Sequence, residues 1–253
     1  MLDVYSPTGS KGLPVVVWIH GGGWRRGDKG EVHNKPKAFL EKGFVLVSIH
    51  YRFVPNVKVD QIAGDVAKAI RWTHDHAKSY GGDPKRIIVM GHSAGAQLAA
   101  LGCTDDRYLR AEKLPLSIIK ACVPVDGDTY DVPMQIKTVE DKRAKSYRMT
   151  FGDEESQKNL SAVTHVAKGK NIPPFLILHV ADHPETKAQS QRLVKVLQGA
   201  GIMAKAYPAE GKDHITINRD LGLTGNMPTQ EMWAASGCKP RPCASRTSRS
   251  WQP

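Results

Sequence analysis

Short apolar runs that alternate with helical patterns are the feature that most constrains how this chain folds. Most of the runs are rich in β-branched residues, which favour strands. Six such runs lie at 14–20, 44–50, 86–91, 118–125, 175–180 and 204–209. The first five are apolar nearly throughout, as parallel strands are when helices cover both faces of a sheet. Helical patterns lie between them at 59–82, 95–103 and 186–201. We therefore expect one α/β domain with a mostly parallel, doubly wound sheet and helices on both faces.

Two stretches depart from this alternation. Residues 126–171 are polar and weakly periodic. A connection of that length inside a compact domain is usually functional, so we expect a small cap that shapes a pocket. Beyond residue 234 the apolar periodicity ends, and the composition of 235–253 predicts a disordered or non-native tail after a domain spanning 1–234. If that tail stands in place of a final helix, the uncovered apolar patch favours a homodimer.

The formal net charge of +11 raises nucleic acid or an anionic surface as a partner. Part of that charge falls in the tail, however, and the rest is scattered singly, without interleaved aromatic residues, a helix-turn-helix pattern or zinc-finger spacing. No apolar run is long enough to cross a membrane, and the first residues lack the pattern of a signal peptide. Cys103 and Cys122 lie in apolar surroundings that favour buried free thiols. We expect a cytoplasmic protein that binds neither nucleic acid nor membrane.

The stretch Gly-His-Ser-Ala-Gly at 91–95 follows a predicted strand and opens a predicted helix. In that setting the pattern G-x-S-x-G places a serine on a sharp turn, with its hydroxyl lifted above the sheet. The backbone amide of Ala94 points into the same space at the start of the helix. A glycine-rich turn with an incidental serine is the alternative, and the flanking strand and helix argue against it. Ser93 is therefore the candidate nucleophile.

A second glycine-rich stretch, His-Gly-Gly-Gly-Trp at 20–24, follows the first predicted strand. Glycines let backbone amides approach a ligand closely, and a tetrahedral intermediate needs such donors for its oxyanion. A phosphate-binding loop is the alternative, but the spacing matches neither of the common phosphate motifs. Gly22 and Gly23 are the candidate oxyanion donors beside Ala94, and His20 is expected to brace the loop.

The stretches HGGGW at 20–24 and GHSAGAQLAA at 91–100, in this order, resemble the α/β-hydrolase superfamily. Within it, the chain is similar to the esterase/lipase branch, which includes hormone-sensitive-lipase-like carboxylesterases and kynurenine-formamidase and feruloyl-esterase-like proteins. The sharp turn at the serine, called the nucleophile elbow, reads GHSAGA here. This resembles the kynurenine-formamidase and feruloyl-esterase-like proteins more than the hormone-sensitive-lipase-like enzymes, which typically carry GDSAGG. The loop HGGGW, in place of the HGGYW of formamidases, weighs against formamidase activity. The resemblance runs from about Leu2 to about Leu223 and implies that the chain begins at what would be the second strand of that fold.

The resemblance implies a triad in the order serine, acid, histidine, with the acid after a late strand and the histidine near the end. Asp182 follows the run at 175–180, and His214 follows the run at 204–209. Glu185 is a rival acid, but it suits the first turn of the next helix. Asp213 is the third choice, because a residue next to His214 usually points elsewhere. The expected triad is Ser93, His214 and Asp182.

The stretch LHVADHPET at 178–186 also raises a metal-ligand cluster as an alternative. His179 belongs to the predicted strand, and its spacing to Asp182 and His183 does not match a common zinc motif. We therefore expect neither a metal nor a cofactor.

These features predict a serine hydrolase that cleaves small carboxylic esters of short acyl chains through an acyl-enzyme. The candidate pocket residues are His92, Tyr130, Asp131 and Trp24, although Trp24 suits packing under the loop equally well. One alternative is an amide or arylformamide hydrolase with the same machinery. Another is a non-catalytic hydrolase-fold binding protein, which would be expected to lack a triad member.

Overall fold

The computed structural model describes residues 1–235, and these form one seven-stranded sheet. The strands are β1 (Leu2–Tyr5), β2 (Leu13–Ile19), β3 (Val45–Ile49), β4 (Gly82–His92), β5 (Ile119–Val125), β6 (Phe175–Val180) and β7 (Ala204–Ala209). Their order across the sheet is β1-β3-β2-β4-β5-β6-β7. β1 pairs antiparallel with β3, and every other neighbouring pair is parallel.

Helices lie against both faces of this sheet. They are α1 (Lys35–Glu41), α2 (Val59–His76), α3 (Ala94–Thr104), α4 (Asp106–Ala111), α5 (Val132–Thr138), α6 (Asp141–Phe151), α7 (Glu154–Asn159), α8 (Pro184–Gly199), α9 (Thr216–Arg219) and α10 (Met227–Ala235). Three short 3₁₀ helices lie at Ala77–Tyr80, Leu116–Ile118 and Ala162–His165. α2, α3 and α8 contribute to the core on one face, and α1, α9 and α10 contribute to the core on the other.

The central strand β2 shows why the sheet needs cover on both sides. Val15, Val17 and Ile19 face one core, whereas Val16 and Trp18 face the other. All five are fully buried. Because successive side chains of a strand point to opposite faces, an apolar residue at every position requires a helix layer on each face. The α/β fold with a mostly parallel, doubly wound sheet is confirmed.

The segment 126–171 is largely helical, which its sequence did not predict. It forms α5, α6 and α7, followed by a 3₁₀ turn. The apolar periodicity is weak because these helices bury little; α6 buries only Ala144 and Phe151. Strand β1 was also not predicted, since it has four residues, all of them half-buried.

Among residues 1–235, no helix is both long enough and apolar enough to span a membrane. The tail predicted for 235–253 lies, beyond its first residue, outside the described residues.

Candidate active site

Ser93 is the single residue between β4 and α3. Its backbone has φ 56° and ψ −120°, which is strained for a residue with a side chain. The flanking glycines make this turn sterically feasible. A Cβ on Gly91 would lie 2.2 Å from the carbonyl oxygen of Gly95, and one on Gly95 would lie 2.2 Å from that of Ile19. The elbow predicted from the sequence is therefore present, and it requires glycine at both positions.

A chain of hydrogen bonds leads away from this serine. Ser93 Oγ lies 3.0 Å from His214 Nε2, and His214 Nδ1 lies 2.7 Å from Oδ2 of Asp126. His214 belongs to the loop between β7 and α9, and Asp126 is the first residue after β5. In parallel strands the carboxyl ends share one edge, so this edge of the sheet brings the three side chains together.

The expected partner of His214 was Asp182, and the structure corrects this to Asp126. Asp182 is exposed, in the short turn that runs from β6 into α8. Strand β5 is adjacent to the serine strand β4, whereas β6 is one strand further away. An acid at the end of β5 is therefore nearer to the serine. The sequence carried a signal for this residue, because Asp126 directly follows the apolar run at 118–125.

The backbone fixes Asp126 firmly. Its φ is 52°, its amide donates to the carbonyl of Leu178 at 2.7 Å, and its Oδ1 accepts the amide of Val180 at 2.9 Å. The side chain is almost completely buried. This leaves Oδ2 for His214, which is the arrangement that holds an imidazole in one tautomer.

The rival acids have other partners. Oε1 of Glu185 accepts a hydrogen bond from Arg143 at 2.6 Å, and Oε2 pairs with His183 at 2.9 Å. Oδ1 of Asp213 accepts the amides of Ile215 and Thr216 and so caps the start of α9. Neither carboxylate is hydrogen-bonded to the His214 ring.

Two of the four expected pocket residues lie away from the cavity that Ser93 lines. Tyr130 is fully buried in the core. The carboxylate of Asp131 caps α5 through the amide of Met134 and pairs with Arg192 at 3.0 Å. Both residues follow Asp126 closely, but the chain turns into α5 and carries them away from the cavity. Trp24 and His92 do line it.

Ser93, His214 and Asp126 together form a hydrogen-bonded relay, and the surroundings of this relay set the charges of its side chains. Burial acts to raise the pKa of Asp126, but hydrogen bonds from His214, Val180 and Thr186 outweigh it and lower the pKa to about 2. Burial acts to lower the pKa of His214, but the hydrogen bond and negative charge of Asp126 raise it above 6.5. The pKa of His92 falls to about 3 because of burial and the nearby positive charge of His214. Near neutral pH, Asp126 is therefore ionised and His92 is uncharged.

His92 contacts the relay histidine directly. Its Nε2 donates to the carbonyl oxygen of His214 at 2.9 Å, and the two ring centroids are 4.5 Å apart. Because a carbonyl oxygen only accepts, Nε2 of His92 carries the hydrogen. The residue before the serine thus holds the loop that carries His214.

The glycine-rich loop at 20–24 lines the same cavity as Ser93 and His214. Gly22 and Gly23 have φ of 111° and 61°, and both line the cavity with Ser93. The hydroxyl of Tyr51 lies 3.0 Å and 3.1 Å from the carbonyls of His20 and Gly21, so it braces the loop from below. The His20 ring stacks on Tyr51 with centroids 4.3 Å apart. Gly22 and Gly23 therefore border the same cavity as Ser93, and the amide of Ala94 lies next to Ser93 at the first turn of α3.

The cavity above Ser93 has a volume of about 850 Å³. Helix α6 supplies one wall through Arg143, Ser146, Tyr147 and Thr150. Trp24 forms part of another wall. Its Nε1 donates to Oε1 of Gln97 at 3.0 Å, and its ring packs edge-on against Phe151 with centroids 4.8 Å apart. Trp24 therefore both lines the pocket and packs under the loop.

One group of side chains at this site has the composition of a metal-ligand set. Asp126, His183 and His214 each offer one ligand atom, and these atoms lie within 4.8 Å of one another. Across residues 1–235 no other group of three or more such side chains is arranged in this way.

Comparison with known proteins agrees with this architecture. The profile of the BD-FAE family matches residues 2–197. Among similar proteins, the probable carboxylic ester hydrolase LipM of Mycobacterium tuberculosis (strain ATCC 25618 / H37Rv) is 33% identical over 203 residues, covering 75% of this chain and 44% of LipM. The isoprenylcysteine alpha-carbonyl methylesterase ICME of Arabidopsis thaliana is 28% identical over 232 residues, covering 85% of this chain and 54% of ICME. The chain thus spans about half the length of these curated relatives.

A solved structure extends the likeness to the whole domain. The thermophilic esterase Est2 of Thermogutta terrifontis is 26% identical with a TM-score of 0.72, over 93% of this chain and 85% of that chain. A match to most of the chain and a shared fold lead to one conclusion: the chain belongs to the BD-FAE family and is an α/β-hydrolase of the esterase/lipase type.

Proposed function

We propose that this chain is a serine carboxylesterase that hydrolyses esters of short acyl chains. The observation that carries the proposal is the unbroken relay from Ser93 Oγ through His214 to Asp126, at the floor of an open cavity. The similarity to a probable carboxylic ester hydrolase, LipM, and to a methylesterase, ICME, supports ester hydrolysis as the reaction class.

In the acylation step, Ser93 Oγ attacks the ester carbonyl carbon while its proton passes to Nε2 of His214. Asp126 accepts the Nδ1–H hydrogen bond and stabilises the imidazolium that forms. The amides of Gly22, Gly23 and Ala94 stabilise the negative charge on the carbonyl oxygen. His214 then returns the proton to the alkoxy oxygen, the C–O bond breaks, and the alcohol leaves an acyl group on Ser93.

Deacylation repeats these steps with water. His214 takes a proton from the water as its oxygen attacks the acyl carbon, and then returns the proton to Ser93 Oγ as the carboxylic acid leaves. These steps need no metal or cofactor, since His214 accepts or returns the proton in each transfer with Ser93, the leaving alcohol or water.

The cavity walls support a preference for short acyl chains. Most of the side chains that line the cavity are polar or charged, and they include Arg25, Arg26 and Arg143. Trp24 and Ile215 are the main apolar side chains, and two such side chains suit a short acyl group better than a long alkyl chain. Est2 of Thermogutta terrifontis has been solved with butyrate bound, at 25% identity and a TM-score of 0.73.

The test compares Ser93→Ala with Ser146→Ala, since both serines line the cavity but only Ser93 is in the relay. With p-nitrophenyl butyrate, Ser93→Ala should lose at least about 10⁴-fold in kcat. Ser146→Ala should change kcat/KM by less than about tenfold, because it removes at most a single hydrogen bond. A stalled acyl or dialkylphosphoryl adduct should appear by mass spectrometry on the peptide that contains Ser93.

Initial rates on acetate, butyrate, octanoate and formanilide substrates complete the test. The proposal expects the highest kcat/KM for acetate or butyrate. A formanilide rate above the ester rates would favour the amide-hydrolase alternative, and equal activity of Ser93→Ala and wild type would exclude Ser93 as the nucleophile.

A further inference from the structure

We propose that Asp126, His183 and His214 form an inhibitory zinc site at the back of the relay. Its effect on turnover rests on the proposed esterase function, whereas binding of the ion does not. Both histidines direct Nδ1 at the same carboxylate oxygen, Oδ2 of Asp126, from 2.7 Å for His214 and 3.7 Å for His183.

His183 is oriented by a carboxylate on its far side. Its Nε2 lies 2.9 Å from Oε2 of Glu185, and Oε1 of Glu185 accepts a hydrogen bond from Arg143 at 2.6 Å. The hydrogen of a neutral His183 ring therefore resides on Nε2, which leaves a lone pair on Nδ1. An outer carboxylate that fixes the ring in this way is the usual second shell of a metal-binding histidine.

The lone pair of His183 then faces an ionised oxygen. Asp126 accepts the Nδ1–H of His214 on Oδ2 and the amide of Val180 on Oδ1, so it presents lone pairs to His183. A lone pair and a carboxylate oxygen at 3.7 Å repel each other unless a proton or a metal cation lies between them. A cation bound by both atoms would remove that repulsion.

Two imidazole nitrogens and one carboxylate oxygen are the ligands that Zn²⁺ prefers, whereas Mg²⁺ and Ca²⁺ prefer oxygen alone. Ligand bonds of about 2.0–2.1 Å in tetrahedral geometry put neighbouring ligand atoms about 3.3 Å apart. The 3.7 Å spacing of His183 and Asp126 is near this value, and the 2.7 Å hydrogen bond from His214 must lengthen. The histidine side chains are 30% and 40% exposed, so the ion can enter from solvent and take water as its fourth ligand.

Zinc at this position would stop catalysis through the tautomer of His214. In the free protein the hydrogen lies on Nδ1, and Nε2 accepts the proton of Ser93. When zinc occupies Nδ1, the same hydrogen must reside on Nε2, so no proton is lost but Nε2 can no longer accept one. His214 would then point a donor at the serine and cease to act as its base.

The experiment measures zinc binding and zinc inhibition separately. Calorimetric titration with ZnCl₂ of the full chain carrying Ser93→Ala should give one tight site. Adding His183→Ala or His183→Gln to that protein should lower its zinc affinity by at least about tenfold. Asp182→Asn, a change at the exposed neighbouring residue, should leave the zinc affinity unaltered. MgCl₂ should give no comparable binding.

Inhibition of ester hydrolysis by ZnCl₂ is then compared among otherwise native proteins, each against its own zinc-free rate. The His183 variants should need at least about tenfold more zinc for half inhibition than wild type or Asp182→Asn, and EDTA should restore each rate. Unchanged zinc affinity in both His183 variants, or no calorimetric binding at all, would overturn the site. Loss of the proposed function alone would leave the calorimetric result intact.

Discussion

At the scale of single residues, the protonation states around Ser93 are set by what each side chain touches. Asp126 is buried but accepts hydrogen bonds on both oxygens, which keeps it ionised. His92 is buried beside another imidazole and stays neutral. His214 lies between Ser93 and the negative charge of Asp126, which raises the pKa of His214. Each of these states suits a base that must accept one proton and release it again.

The pH dependence of ester hydrolysis follows from His214. The base acts only when neutral, and its pKa is raised above 6.5 by Asp126. We therefore expect kcat/KM to fall as the pH drops through that raised pKa, with a slope of one. Replacing Asp126 with asparagine removes the cause of the shift, so the acid limb of any residual activity should move to lower pH. Rates measured between about pH 5 and pH 9 locate the acid limb of the wild type and that of the variant. An acid limb that stays in place in the variant would contradict the assignment.

At the scale of elements, α1 and α9 are joined by a buried lysine. Nζ of Lys35 donates to the carbonyl and the side-chain oxygen of Asn218, both at 2.8 Å, and lies 4.3 Å from the centroid of the Trp18 ring. Nearby, Asn34 donates to the carbonyl of Arg219. Helix α9 begins two residues after His214, so these bonds anchor the segment that carries the base.

Lys35 should make stability depend on pH in an unusual direction. Burial lowers its pKa from 10.5 to about 7, so between these values the unfolded chain binds a proton that the folded chain does not. The free energy of unfolding should therefore rise with pH in this window, by up to about 1.4 kcal/mol per unit. Below the window Lys35 is protonated in both the folded and the unfolded chain, so it adds no pH dependence there. Lys35→Met should lose this rise, whereas Lys37→Met, at an exposed position of the same helix, should keep it. Urea denaturation from about pH 7 to 10 gives the slopes, and parallel slopes for both variants would show that Lys35 is charged when folded.

At the scale of the whole molecule, the site is assembled from distant parts of the chain. The glycine loop follows β2, the serine follows β4, the acid follows β5, and the histidine follows β7. The parallel sheet brings these ends to one edge, and α6 covers that edge. The sheet, the elbow and the glycine loop could be predicted from local patterns, because each is encoded by a few adjacent residues. The acid could not, since Asp126 and Asp182 both follow apolar strands and only the order of those strands decides between them.

The residues that line the cavity also bear on how much of the chain the reaction needs. They all lie between Gly21 and Asn218. A protein that ends at Ala235 should therefore keep kcat/KM for p-nitrophenyl butyrate within about threefold of the full chain, which is under about 1 kcal/mol of transition-state stabilisation. Circular dichroism checks that the shortened protein is folded. A large loss of turnover in a folded, shortened protein would show that residues 236–253 contribute to the site.

The most direct test of Asp126 as the acid of the triad compares Asp126→Asn with Asp182→Asn in steady-state ester hydrolysis. Asparagine at 126 keeps the shape of the side chain but removes the charge that holds the His214 tautomer, so kcat should fall by about 10³- to 10⁴-fold. Asparagine at 182 alters an exposed residue, and kcat should stay within about twofold of wild type. If Asp182→Asn proves the more damaging change while both variants remain folded, Asp126 is not the acid of the triad.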